Sequence, residues 1–168
     1  VRGLALGLAV GLAGVGMPGT GAGLPAVQIG EFAGPAKTQS RVSYVAEPQS
    51  VVAGKRGVVE LHFQVAEGYH VNSHTPKSEL LIATAVTLEP AIGVTAGKPE
   101  YPAGVAYSFP LQPEETLDVY TGAFTVRLPV EAKAGEHTLQ GVLRYQACDR
   151  AACYPPKSLP VQVLFTAK

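Results

Sequence analysis

The stretch VVELHFQV, residues 58–65, alternates apolar Val59, Leu61, Phe63 and Val65 with polar Glu60, His62 and Gln64. Successive side chains of a strand point to opposite faces, so a period of two reads as a strand with one face buried. The period returns in AFTVRLPV, where Phe124, Val126 and Leu128 alternate with Thr125 and Arg127. It returns in LPVQVLF, where Val161, Val163 and Phe165 share a face. In HTLQGVLRYQA, Leu139, Leu143, Tyr145 and Ala147 fall on one face with Gly141, opposite Thr138, Gln140, Arg144 and Gln146; Val142 breaks the pattern. Shorter candidates are RVSYVA (41–46), SVVA (50–53) and TAVTLE (84–89). Turn signals separate the runs at Ala53-Gly54-Lys55, Glu67-Gly68, Ala96-Gly97-Lys98-Pro99 and Lys133-Ala134-Gly135. Short strands so punctuated predict an all-β, antiparallel sandwich.

Composition agrees. The chain has 19 Gly, 14 Pro and only 15% charged residues, against the Ala, Leu, Glu and Lys that long helices need. Neither a useful helix, an internal repeat nor a heptad is legible. The 13 basic and 13 acidic residues balance, which argues against a nucleic-acid partner and against charge-driven binding to an anionic membrane. Residues 98–117 (KPEYPAGVAYSFPLQPEETL) form the longest run without alternation, and a long structureless loop is often functional.

The first segment has the pattern of a secretory signal peptide: Arg2, an apolar core from Leu4 to Val15, then small residues and Pro18. The apolar run falls short of the ~20 residues that span a bilayer. The expected organisation is a signal peptide or N-terminal anchor over 1–26, a flexible lead-in over 27–40 and one β-sandwich domain over 41–168. The protein would then be periplasmic or otherwise extracytoplasmic, touching a membrane only if the N-terminal segment stays uncleaved. Such a compartment is oxidising, so a cysteine pair there can be a disulfide.

The chain has 2 cysteines, Cys148 and Cys153, in YQACDRAACYPP. Three readings stand beside one another. As a local staple, so short a ring contributes only about 2 kcal/mol. As an exchange site, a short surface ring stiffened by Pro155 and Pro156 suits thiol–disulfide chemistry better than it suits stability. Arg150 would favour a thiolate there and Asp149 would oppose it. As a metal site, His70 and His74 in GYHVNSHTP have an H-x3-H spacing that would complete a Cys2His2 set, although Asn72, Ser73 and Pro76 suggest a turn there. Gly-rich phosphate loops, G-x-S-x-G and H-E-x-x-H are missing from the sequence.

The segment YQACDRAACYPPKSLPVQV resembles the active-site segment of the N-terminal periplasmic domain of the DsbD thiol:disulfide interchange family. GYHVNSHTP, YPAGV and LDVYTGAFTVRLPV are similar to other family segments in the same order, so the resemblance covers most of residues 55–166. It implies an immunoglobulin-like sandwich that relays electrons without a bound cofactor or metal, from a thioredoxin-like partner to oxidised extracytoplasmic client proteins. Carried over, Cys153 forms the mixed disulfide and Cys148 resolves it. An aromatic-tipped cap loop is implied at about Tyr107–Gln112, with Phe109 as its best candidate. Tyr107, Tyr145 and Tyr154 are the other aromatic residues expected near the site. Two departures stand out: the cysteine spacing is one residue shorter than in the best-known member, and the sequence ends at Lys168 without the transmembrane relay and thioredoxin-like domain of full members. The expectation is therefore a stand-alone module.

Overall fold

The alternating runs do form strands. The structure, a computed structural model, describes residues 40–109 and 112–168. The signal segment expected over 1–26, and the lead-in apart from Ser40, lie outside the described residues. Twelve strands are described in chain order: β1 (Val42–Val45), β2 (Gln49–Val51), β3 (Arg56–Val65), β4 (His70–Asn72), β5 (Ala85–Leu88), β6 (Val94–Ala96), β7 (Val105–Phe109), β8 (Gln112–Tyr120), β9 (Ala123–Ala132), β10 (Gly135–Tyr145), β11 (Ala147–Cys148) and β12 (Lys157–Ala167). None of the described residues forms a helix long and apolar enough to cross a membrane.

The strands make three four-stranded sheets, ordered β1-β3-β9-β6, β2-β12-β10-β5 and β11-β4-β8-β7. All pairs are antiparallel except β2 with β12, which run parallel. The all-β, immunoglobulin-like sandwich expected from the sequence is what forms. Its core joins the first two sheets. Val59, Leu61, Phe63, Val126 and Leu128 from one pack in a single cluster with Leu139, Leu143, Tyr145, Val161, Val163 and Phe165 from the other. Each such side chain, withdrawn from water, contributes roughly 1.5–3 kcal/mol. Val142 keeps the strand period and simply faces outward beside its ladder partner Pro160. Gly141 is needed where β5 pairs with β10: a Cβ there would press on the Thr87 carbonyl and come within 2.9 Å of Leu88 Cδ2.

Residues 98–117 depart from the expectation. They are largely a hairpin, β7 running back along β8 with a register shift between Ser108 and Phe109. In the sequence, Pro99, Pro102, Pro110 and Pro113 interrupt the alternation that would have revealed it. This hairpin forms one side of the third sheet and β11, carrying Cys148, forms the other.

Candidate redox site

β10 is the strand that delivers the cysteines. It runs its full length against β12, then breaks at Gln146, and β11 pairs instead with β4 of the third sheet. Gln146 holds this switch. Its Oε1 accepts from Asn72 Nδ2 at 3.2 Å and from the Ile82 amide at 3.3 Å, while its Nε2 donates to the Tyr154 carbonyl at 3.3 Å. The chain beyond Cys148 turns at once: the Asp149 amide donates to the Ala152 carbonyl at 3.0 Å, and the Tyr154 amide to the Ala147 carbonyl at 2.9 Å.

Cys148 and Cys153 are joined as a disulfide and also face each other as an antiparallel bridge, with Cα atoms 3.9 Å apart. Their environments differ. Cys148 is fully buried, at 0% exposure, whereas Cys153 is exposed. A reagent in solution therefore reaches the ring from the Cys153 side.

The turn between them is organised by Asp149. Its Oδ1 accepts from the amides of Ala151 at 2.7 Å and Ala152 at 2.9 Å, and its Oδ2 accepts from the Tyr154 hydroxyl at 2.5 Å. The Tyr154 hydroxyl, followed by the two amides, holds the Asp149 carboxyl down at about 2. The same hydrogen bond to Asp149 is the leading reason that the Tyr154 hydroxyl titrates above its ordinary value. Arg41 lies over the Tyr154 ring, its guanidinium carbon 3.5 Å from that ring's centre and 5.1 Å from that of Tyr69. The two tyrosine rings are 6.0 Å apart.

The aromatic pair of the β7–β8 hairpin packs on a histidine. The centre of the Tyr107 ring lies 4.0 Å from that of His70, and Phe109 lies 5.8 Å from it. His70 is the ladder partner of Cys148. Directly opposed residues of an antiparallel pair share a face, with Cβ atoms about 4.5–5.5 Å apart. The rings thus cover His70, and His70 adjoins the buried cysteine. His70 is 2% exposed, and its Nε2 has no hydrogen-bond partner among the described residues. Burial lowers its pKa from the ordinary value, opposed by the charge of Asp149. Arg150 lies beyond the rings, lining a cleft of about 470 Å³ with His70, Tyr107 and Tyr69.

The sequence-chosen residues therefore divide. Cys148 and Cys153 meet. Tyr107 and Phe109 sit together over His70. Tyr154 lies under Arg41 and bonds Asp149 instead of joining that pair. Tyr145 points into the main core at 2% exposure, because it shares the inward face of β10 with Leu139 and Leu143. The Cys2His2 set is not assembled. His74 is exposed, stacked 3.7 Å from Tyr101 with Nδ1 donating to the Thr84 carbonyl at 2.9 Å. Among the described residues no three His, Cys, Asp or Glu side chains are grouped to hold a metal. Arg41, Tyr69 and Gln146 were not among the candidate site residues. Asp149 was expected in the turn between the cysteines and to oppose a thiolate; its bond to the Tyr154 hydroxyl was not.

A family model described as the N-terminal part of thiol:disulfide interchange protein DsbD matches residues 41–164. A search of curated proteins found no match. Among solved structures, similarity extends to the DsbD N-terminal domain of Neisseria meningitidis in the reduced form, with 20% identity, TM-score 0.44, and coverage of 70% of this chain and 87% of that one. A complex between the DsbD N-terminal and PilB N-terminal domains of Neisseria meningitidis gives 22% identity and TM-score 0.43, over 62% of this chain and 73% of that one. The N-terminal periplasmic domain of ScsB from Proteus mirabilis gives 13% identity and TM-score 0.45, over 73% and 44%. The sequence match carries the assignment.

Proposed function

The chain belongs to the family of DsbD N-terminal domains, and from that membership we propose that it is an extracytoplasmic thiol:disulfide exchange module. It passes electrons from a thioredoxin-like donor to oxidised client proteins through Cys148 and Cys153. The single observation that carries this reading is the asymmetry of the disulfide, with Cys148 buried and Cys153 exposed.

Exchange requires a thiolate to approach one sulfur in line with the S–S bond. In the loading half-reaction a donor thiolate attacks Sγ of Cys153. The S–S bond of the ring breaks, a donor–Cys153 disulfide forms, and the electron pair leaves on Cys148, which takes up a proton. The donor's second thiolate then attacks its own sulfur in that bond and releases Cys153 as a thiol. In the unloading half-reaction the Cys153 thiolate attacks a client disulfide: the client S–S bond breaks, a client–Cys153 disulfide forms, and the other client sulfur leaves as a thiolate that is protonated. Cys148, deprotonated, attacks Sγ of Cys153, closes the ring and expels the client thiolate, which is protonated. Two electrons and two protons are delivered per cycle, and no other cofactor takes part.

Tyr107 and Phe109 act in this reading as a lid that holds the buried side of the ring shut through His70. A signal peptide over residues 1–26 would supply the export that the chemistry needs. The test is capture of a mixed disulfide: a thioredoxin-like protein that lacks its resolving cysteine and carries 5-thio-2-nitrobenzoate on the remaining one exchanges with the Cys153 thiolate of Cys148→Ala, releases the nitrobenzoate thiolate and stays attached.

A further inference from the structure

We propose that Asp149, Tyr154 and Arg41 form a clamp that keeps the 148–153 turn closed in the reduced protein, and that this clamp sets how strongly reducing the cysteine pair is. The inference rests on exchange through that pair. It goes beyond it by assigning positioning residues that touch neither sulfur's partner.

The contacts that shape the turn do not pass through sulfur. Asp149 Oδ1 takes both the Ala151 and Ala152 amides, Oδ2 takes the Tyr154 hydroxyl, and the Arg41 guanidinium lies over the Tyr154 ring, which also neighbours Tyr69. Arg41 is itself fixed, since its carbonyl accepts from the Ala66 amide at 2.8 Å at the start of the first sheet. Tyr154 adjoins Cys153 and Asp149 adjoins Cys148 in the chain, so the hydroxyl–carboxylate bond ties the two ends of the ring together beside the S–S bond. In the oxidised protein the clamp is redundant, because the disulfide already closes the ring. In the reduced protein it is the device that keeps two thiols at bonding range.

Keeping two reacting groups in place raises their effective concentration and favours the bond between them. The clamp therefore stabilises the disulfide relative to the dithiol and makes the dithiol the stronger reductant. The carboxylate stays ionised through neutral and mildly acidic pH, because its pKa is depressed to about 2 from 3.8. Its depressed pKa means that the clamp is intact above about 3.8 and is lost only as pH falls toward 2.

The experiment is equilibration of the full chain with glutathione buffers, read by thiol labelling. Reduction moves two electrons and two protons into the ring as two glutathiones become oxidised glutathione. Asp149→Ala is expected to lower the equilibrium constant for ring closure about tenfold, which raises the potential by about 30 mV for a two-electron couple. Asp149→Asn retains an oxygen for the Ala151 and Ala152 amides and is expected to shift the constant by less than about threefold. Tyr154→Phe keeps the ring under Arg41 and loses the tie, and falls between the two. Thermal unfolding of both redox forms separates a merely structural effect. Damage to the fold would lower the oxidised and reduced forms alike and leave the closure constant unchanged. An Asp149→Ala constant within twofold of the wild type, or a more reducing pair, overturns the clamp. A wild-type pair that does not equilibrate with glutathione overturns the exchange reading itself.

Discussion

Replacing His70 with Phe should stabilise this protein, although it alters a buried residue beside the redox pair. His70 Nε2 is withdrawn from water without a hydrogen-bond partner among the described residues. A polar atom left so costs about 1–3 kcal/mol. Phe keeps a ring against Tyr107 and Phe109, adds a single heavy atom and removes the unpartnered nitrogen. His70→Phe is therefore expected to gain about 1–2 kcal/mol at pH 7.5. The gain should grow with acid. Burial, opposed by Asp149, holds the His70 pKa below its ordinary 6.5, so the unfolded chain takes up the proton first. Wild-type stability then falls as pH drops below 6.5 toward the folded value, by up to about 1.4 kcal/mol per pH unit. Phe has no proton to bind, so its stability carries no such slope. Urea denaturation followed by far-ultraviolet circular dichroism at pH 7.5 and 5.5 measures both effects. A variant less stable than the wild type at pH 7.5, or a difference that does not widen at pH 5.5, would refute the reasoning.

Gly141→Ala should loosen β5 from β10, since the added Cβ meets the Thr87 carbonyl and Leu88 Cδ2. A loss of about 1–3 kcal/mol is expected, with amide exchange faster at Glu89, whose amide donates to the Gln140 carbonyl. Reducing the disulfide should cost little, about 2 kcal/mol for so short a ring. Thermal unfolding with and without reductant should then differ by about 5–8 °C; outright unfolding on reduction would mark a staple.

The sandwich was legible wherever a strand buries one face. β3, β9, β10 and β12 alternate cleanly because each lies between core and water, and their periods are visible in VVELHFQV, AFTVRLPV, HTLQGVLRYQA and LPVQVLF. The third sheet was not legible. β4 is buried at all three positions, so it carries no alternation, and β11 has only two residues. The cysteine pairing was visible because the chain has 2 cysteines. The surroundings of the pair were less so. Tyr145 stands close to Cys148 in sequence, but the strand period that groups it with Leu143 also turns it into the core. Arg41 reaches Tyr154 only after β1 pairs with β3 and brings the start of the domain beside Tyr69, a long-range consequence that no local pattern announces.

Cys153, not Cys148, is the sulfur that meets a partner. The decisive measurement mixes each reduced single-cysteine variant with a thioredoxin-like protein that lacks its resolving cysteine and carries 5-thio-2-nitrobenzoate on the remaining one, and determines the adduct by non-reducing electrophoresis and peptide mass. A lasting adduct is expected at Cys153 in Cys148→Ala and almost none at Cys148 in Cys153→Ala, since Cys148 is fully buried. Equal adducts in both variants, or none in Cys148→Ala, would contradict it.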